Sequence, residues 1–217
     1  MTTTTLSRAQ VSTGCLVEYE AFATLIEGLT EKEWNAPTRC VGWQTRDAAG
    51  HVIGLAEDTA AGVPGSRNSD EEAASVRYES PSGAAARLRT ATATLRALVD
   101  AIDDDAWNGP SGVPDLTLGE GVLTLWYDTY VHADDIRAAA GRTSVRGEGL
   151  DATIAYLARQ LTAKGWGPAT LALDGAGRHD VNGGGPEVSG DALQFALVAT
   201  GRADAATMGL DRDVNIY

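Results

Sequence analysis

Cysteine is scarce in this sequence, and basic residues are outnumbered by acidic ones. The 217 residues include only Cys15 and Cys40, too few for a disulfide framework, so we expect reduced thiols and a cytoplasmic protein. Lys and Arg number 17 against 30 Asp and Glu, which gives a formal net charge of −13. Because such a chain repels phosphate groups, we expect neither nucleic acid nor an anionic membrane as its main partner.

Long apolar runs are missing as well. No stretch is long enough to span a bilayer, and residues 1–8 lack the basic segment followed by an apolar one that marks a secretory signal. Hydrophobic residues nevertheless make up 43 % of the chain and charged residues 22 %. This balance is typical of a globular protein with a buried core.

Apolar side chains recur every three or four residues up to about position 140, as they do on one face of a helix. The two clearest stripes are Cys15, Tyr19, Phe22, Ile26 and Leu29, and then Ala84, Leu88, Ala91, Leu95, Leu98 and Ile102. Capping residues at Thr30, Thr45 and Thr117 mark where helices begin, and Gly141 marks where the last one ends. We therefore expect an up-and-down four-helix bundle over residues 1–146, with residues 66–80 as an exposed loop.

The pattern changes in the C-terminal part of the chain. Residues 150–164 and 190–200 have helical spacing, whereas residues 169–173, 187–189 and 213–217 are predicted to be strands. His179 lies in a glycine-rich connection and is expected to be exposed. We expect residues 147–217 to form a small α/β domain, which makes the whole chain an α+β protein.

Three histidines, His51, His132 and His179, are the only ones available for metal or proton chemistry. Asp128 precedes His132 by four residues, so the two side chains project from one helix face, about 5–6 Å apart at Cβ. His51, on another helix, is the natural third ligand. Two imidazoles and one carboxylate would leave coordination positions open, which is typical of a catalytic metal site. The alternatives are a simple Asp128–His132 hydrogen bond, and a pairing of His51 with Asp47, which could also orient the ring.

Two segments of the chain form recognisable motifs. The first is Thr38-Arg39-Cys40-Val41-Gly42-Trp43-Gln44-Thr45-Arg46-Asp47, which leads to Gly50-His51-Val52. The second is Asp128-Thr129-Tyr130-Val131-His132-Ala133-Asp134-Asp135-Ile136-Arg137, which ends in Ala140-Gly141. Both are similar to motifs of the DinB-like, mycothiol-dependent maleylpyruvate isomerase family. Weaker likeness continues at Val188-Ser189-Gly190-Asp191 and Gly201-Arg202, in the family's small C-terminal domain.

The resemblance implies a DinB-like bundle that binds a divalent metal, Zn²⁺, through His51, Asp128 and His132, with mycothiol as cosubstrate. It also implies that Arg202 helps to complete the active site, where a guanidinium can bind a substrate carboxylate; pairing with Asp204 or Asp191 is the alternative. The family's characterised isomerases have Glu where this chain has Asp128, which weakens the transfer of the isomerase activity more than that of the site.

The family motifs carry further residues with structural roles. Trp43 and Asp47 are expected to hold their loop on the bundle, and Asp135 to fix the end of its helix by bonding to the loop before His51. Cys40 is expected to be a small buried residue, with no base near it in sequence.

Three functions stay open at this point. The first is a metal-dependent enzyme that uses a low-molecular-weight thiol for isomerisation or S-transfer on a small electrophilic substrate. The second is a metal-dependent lyase, hydrolase or cyclase that needs no thiol, and the third is a non-enzymatic metal-binding or stress-response module. Ni²⁺ or Fe²⁺ would suit the same ligands as Zn²⁺. The partners expected are a small substrate and a thiol, and the protein could be a monomer or a homodimer.

Overall fold

The structure, a computed structural model, describes residues 6–113 and 116–217. Its contacts divide the chain into two compact units, Arg8–Ser144 and Val145–Tyr217, the latter joined by residues 6 and 7. The first unit is helical and the second combines helices with a small sheet, so the predicted α+β class is confirmed. None of the helices in the described residues is long and apolar enough to cross a membrane.

The first unit is built on four long helices. Its helices are α1 Arg8–Glu27, α2 Glu31–Trp34, α3 Thr45–Ala60, α4 Ser69–Ala74, α5 Pro81–Ala101, α6 Asp104–Trp107 and α7 Leu118–Ala139. Helix α1 packs against α5 and α7, and α3 packs against the same two. The predicted bundle is therefore confirmed. The apolar stripes supply its core, in which several side chains are fully buried: Phe22, Ile26, Ile53, Leu88 and Ile136.

Helix ends follow the capping chemistry in the sequence. Capping boxes are present at Thr30 with Glu33 and at Thr117 with Glu120. One start was predicted wrongly: Gln44 is the N-cap of α3 and Thr45 is its first residue. Asp47 accepts a hydrogen bond from the Gln44 N–H at 2.9 Å, so its carboxylate caps the N-terminus of α3.

The segment predicted as an exposed loop, residues 66–80, contains helix α4, which packs closely on α3. Six residues of polar sequence show no apolar period, which is why the helix escaped prediction. Glycines on α3 allow the close approach, because a Cβ on Gly54 would lie 2.7 Å from the Cβ of Glu72 and one on Gly50 would lie 2.4 Å from the Ala73 carbonyl oxygen. As a result, Glu72 is only 3 % exposed.

The second unit contains helix α8 Glu148–Lys164, strands β1 Ala169–Asp174, β2 Arg178–Val181 and β3 Glu187–Asp191, and helix α9 Ala192–Ala199. The strand order is β2-β1-β3, with β1 antiparallel to β2 and parallel to β3. Two predictions fail here. The glycine-rich connection contains β2, so His179 is 3 % exposed rather than lying on an exposed loop, and the predicted terminal strand is a 3₁₀ turn at Arg212–Val214.

Candidate metal centre

Helices α3 and α7 bring His51, Asp128 and His132 together inside the bundle unit. The potential ligand atoms of the three residues lie within 4.8 Å of one another. Nε2 of His51 is 3.3 Å from Oδ2 of Asp128, and Nε2 of His132 is 3.6 Å from Oδ1 of the same carboxylate. Nitrogen and oxygen ligands on one tetrahedral ion are about 3.4 Å apart, given bonds of about 2.0–2.2 Å. The spacing therefore fits a shared divalent ion.

The other ring nitrogen of His51 is held by a carboxylate that sequence reasoning missed. Nδ1 of His51 is 2.7 Å from Oε2 of Glu72, on α4. With Nδ1–H directed at Glu72, Nε2 faces Asp128 and would offer its lone pair to an ion bound there. Asn68 and Glu71, which form a capping box at the start of α4, are the sequence signal that could have revealed this helix.

A buried carboxylate of the same helix lies beside the ring of His132. Nδ1 of His132 is 3.4 Å from Oδ2 of Asp135, whose carboxylate is fully buried. Arg39 donates from Nε to Oδ1 of Asp135 at 3.0 Å and from a terminal nitrogen to Asp134 at 2.6 Å. Asp135 thus bonds to the loop that precedes His51, as the sequence predicted, and also lies next to Nδ1 of His132.

Negative charge surrounds the two imidazoles. Burial lowers the pKa of His51, but the carboxylates of Asp128 and Glu72 outweigh burial and raise it to about 10. A site that stabilises a positive charge on its imidazole so strongly is equally suited to a bound cation. The donor set of two imidazoles and one carboxylate matches divalent transition ions such as Zn²⁺.

The loop before α3 covers this site with an aromatic ring. The ring centroid of Trp43 lies 5.4 Å from that of His51 and 5.9 Å from that of His132. Its indole N–H donates to Asp70 of α4 at 3.3 Å. Trp43 therefore ties loop and α4 together and shields the two rings, which extends the packing role predicted for it.

Cys40 differs from its prediction. The residue is half-buried, and its Sγ lies 3.2 Å from Oδ2 of Asp135 and 3.8 Å from Nδ1 of His132. The expectation that Cys40 is buried was therefore wrong. No base is near it in sequence, but a carboxylate and an imidazole that are distant in sequence are its neighbours in space.

Comparison with known proteins identifies the family. The family model described as "Mycothiol maleylpyruvate isomerase N-terminal domain" matches residues 15–137. This chain belongs to that family. Among solved structures it is similar to a mycothiol-dependent maleylpyruvate isomerase, with 19 % identity, a TM-score of 0.66 and coverage of 94 % of this chain and 93 % of the other. A histidine-to-alanine variant of that enzyme matches with the same identity and coverages and a TM-score of 0.64. No curated protein matches the chain.

The other predicted site residue, Arg202, lies in the second unit of this family member. Arg202 donates to the Thr200 carbonyl at 3.3 Å and lines a cavity of about 410 Å³ together with Asp204, Arg212 and Asn215. Asp191, one of the partners considered for Arg202, forms an ion pair with Arg146 at 2.7 Å.

His179 does not take part in the metal centre. It lies on β2, and its Nε2 has no hydrogen-bond partner among the described residues. Burial lowers the pKa of His179, although Asp180 opposes the effect. The ring is therefore a neutral core residue of the second unit.

Proposed function

We propose that this protein is a metal-dependent enzyme that uses a low-molecular-weight thiol of the mycothiol type. The reaction is the isomerisation of a small electrophilic substrate or the transfer of the thiol to it, and its setting is the cytoplasm. The observation that carries the proposal is the convergence of both Nε2 atoms on Asp128. Behind them, Nδ1 of His51 lies 2.7 Å from the buried carboxylate of Glu72, and Nδ1 of His132 lies 3.4 Å from that of Asp135. Family membership supports the choice of thiol, because the related solved structures are described as mycothiol-dependent.

His51, Asp128 and His132 are the proposed ligands, and Zn²⁺ is the proposed ion. Three protein ligands leave a tetrahedral ion one further position, which a thiol sulfur can occupy. The ion would keep that sulfur deprotonated near neutral pH. Compared with Glu, Asp128 is shorter by a methylene, so the ligand set is drawn closer to α7 than a glutamate would place it.

The protein's own groups orient the ligands and limit access. With an ion bound, Glu72 and Asp135 would keep the proton of each ring on Nδ1, so that both Nε2 lone pairs face the ion. Trp43 covers the two rings on the loop side and excludes water there. A thiolate held at the ion would add to an electrophilic carbon of the substrate. Expulsion of the thiol after rotation would give isomerisation, and retention of the thiol would give S-transfer.

A turnover assay with and without thiol tests this proposal and separates its alternatives. The full chain is stripped of metal, reloaded with Zn²⁺, and supplied with maleylpyruvate in the presence and absence of mycothiol. Product formation that needs both Zn²⁺ and mycothiol supports the proposal. Turnover of other substrates with Zn²⁺ alone would favour a lyase, hydrolase or cyclase, and Zn²⁺ binding without turnover would favour a non-enzymatic module.

Arg202 is the proposed anchor for a carboxylate of the substrate. A bidentate guanidinium–carboxylate pair contributes about 1.5–3 kcal/mol, so Arg202→Ala should raise KM or lower kcat/KM by about 10–100-fold with metal content unchanged. Arg212→Ala, which changes another arginine on the same cavity, is the matched control. Equal activity of the two variants would mean that Arg202 does not bind the substrate.

A further inference from the structure

Asp135, Cys40 and the ring of His132 form a second set of metal donors, which faces away from Asp128. We propose that Sγ of Cys40, Oδ2 of Asp135 and Nδ1 of His132 bind a thiophilic divalent ion such as Cd²⁺. These atoms lie within 4.8 Å of one another, at 3.2 Å for Sγ–Oδ2, 3.4 Å for Nδ1–Oδ2 and 3.8 Å for Sγ–Nδ1. With zinc bond lengths, tetrahedral coordination to sulfur, nitrogen and oxygen requires separations of about 3.4–3.6 Å. The larger Cd²⁺ requires somewhat wider spacing, so the donors must move apart by several tenths of an ångström to admit it.

The backbone holds Cys40 toward the other two donors. The N–H of Trp43 donates to the Cys40 carbonyl at 3.0 Å, and Gly42 in the turn between them has φ +85°, which favours glycine. Thr38 Oγ1 accepts from the Cys40 N–H at 3.2 Å. The next residue, Val41, is fully exposed, so an ion from solvent has only a short path to the half-buried sulfur.

Charge favours binding at this position. Arg39 donates to Oδ1 of Asp135, and Sγ of Cys40 contacts Oδ2 of the same carboxylate. On binding, the Cys40 thiol releases its proton to solvent and forms a sulfur–metal bond, so one proton leaves for each ion bound. A thiolate ligand selects soft ions over the hard ones that carboxylates prefer.

Binding at the second position has a consequence for the first. A neutral imidazole has one lone pair, and an ion on Nδ1 of His132 moves the ring proton to Nε2. That nitrogen then cannot serve as a ligand beside Asp128. As a neutral imidazole, His132 can therefore serve only one of the two positions at a time, and a soft ion bound through Nδ1 would release Zn²⁺ from the first. This exclusion rests on the proposed function, whereas the thiolate position itself does not.

The second cysteine of the chain provides a matched control. Cys15 lies in the bundle core, only 3 % exposed, and burial raises the pKa of its thiol strongly. Because the sequence contains only these two cysteines, Cys15→Ala leaves Cys40 as the single thiol. Cys40→Ala leaves Cys15 as the single thiol.

A Cd²⁺ titration of the metal-free full chain, followed by the ultraviolet thiolate-to-Cd²⁺ charge-transfer band, tests the proposal. The band should saturate near one equivalent in the wild type and in Cys15→Ala, and should be absent from Cys40→Ala. His132→Ala should weaken Cd²⁺ binding at least about tenfold, since one of three ligands is lost. Asp128→Asn should keep the band, because that residue belongs only to the first position.

Three results would overturn the proposal: a band that persists in Cys40→Ala, a band that needs a large excess of Cd²⁺, or an affinity unchanged by His132→Ala. Circular dichroism checks the fold of each variant, and Cys40→Ser replaces Cys40→Ala if the latter does not fold. Loss of prebound Zn²⁺ during the titration tests exclusion separately. Equal Zn²⁺ binding by the wild type and Asp128→Asn would refute the proposed His51–Asp128–His132 site. The Cd²⁺ titration would still test the site at Cys40 independently.

Discussion

Replacing Glu72 by glutamine should weaken metal binding without removing any proposed ligand. The substitution keeps the size of the side chain but removes its charge, and a neutral amide holds the Nδ1–H of His51 less firmly than a carboxylate does. The contact is 2.7 Å long and Glu72 is 3 % exposed, so water does not screen it. Glu72→Gln thus separates the orientation of the ring from its ability to bind.

The expected size follows from the kind of hydrogen bond. A bond to a charged group contributes about 1.5–3 kcal/mol and a neutral one about 0.5–1.5, so the change costs on the order of 1–1.5 kcal/mol. Loss of such a partner commonly lowers metal affinity by about 10–100-fold, which is a similar or somewhat larger cost. We expect the Zn²⁺ affinity of Glu72→Gln to fall by about 10–100-fold.

Competition with a chromophoric chelator measures this affinity. Glu71→Gln is the matched control, because Glu71 lies next along α4 but accepts from the Asn68 N–H in a capping box that glutamine also supports. The thermal midpoint of each metal-free variant reports on folding. Equal Zn²⁺ affinities for Glu72→Gln and Glu71→Gln would refute the role assigned to Glu72.

Three further substitutions test the positioning and the core. Gly54→Ala should lower both the Zn²⁺ affinity and the free energy of unfolding, because the new Cβ would lie 2.7 Å from that of Glu72. The expected loss of unfolding free energy is about 1–3 kcal/mol. Gly121→Ala is the control: its Cβ would lie 3.8 Å from that of Ser111, so a chelator titration and a urea melt should show no such loss. His132→Ala should abolish Zn²⁺ binding by metal analysis yet still unfold cooperatively, and loss of that cooperativity would mean that the metal is structural. The pKa of His179 is lowered in the folded protein. Its contribution to stability is therefore complete above the pKa of the unfolded chain, about 6.5, and is lost as pH falls through the pKa of the folded protein. In His179→Leu the urea midpoint should fall less between neutral and mildly acidic pH than in the wild type, and an equal fall in both proteins would contradict this.

The long elements of the bundle could be predicted because their signals are local. Stripes such as that through Phe22 and Ile26 have the helical period over many turns, and the box of Thr117 and Glu120 marks the start of α7. Asp128 and His132 are one turn apart on that helix, so their juxtaposition follows from its geometry alone. His51 was placed opposite them because the bundle and the family motif agree.

The residues that contact the proposed ligands could not be predicted in this way. Spacing suggested Asp47 as the partner of His51, but Asp47 lies in the first turn of α3, where its carboxylate satisfies a free backbone N–H. Glu72 comes instead from a short polar helix that depends on its packing with α3. The contact of Cys40 with Asp135 likewise depends on how a loop folds back on a helix 95 positions away. Tertiary packing, which leaves no local pattern, decides each of these contacts.

The metal centre is tested most directly by X-ray absorption spectroscopy of the Zn²⁺-loaded protein before and after addition of mycothiol. Before addition, the proposed ligands give only nitrogen and oxygen neighbours at about 2.0–2.2 Å from the ion. After addition, one sulfur should appear at about 2.3 Å, while the imidazole scattering of His51 and His132 persists. A sulfur present before the thiol is added, or none present afterwards, would contradict a His51–Asp128–His132 centre with a position open to thiol.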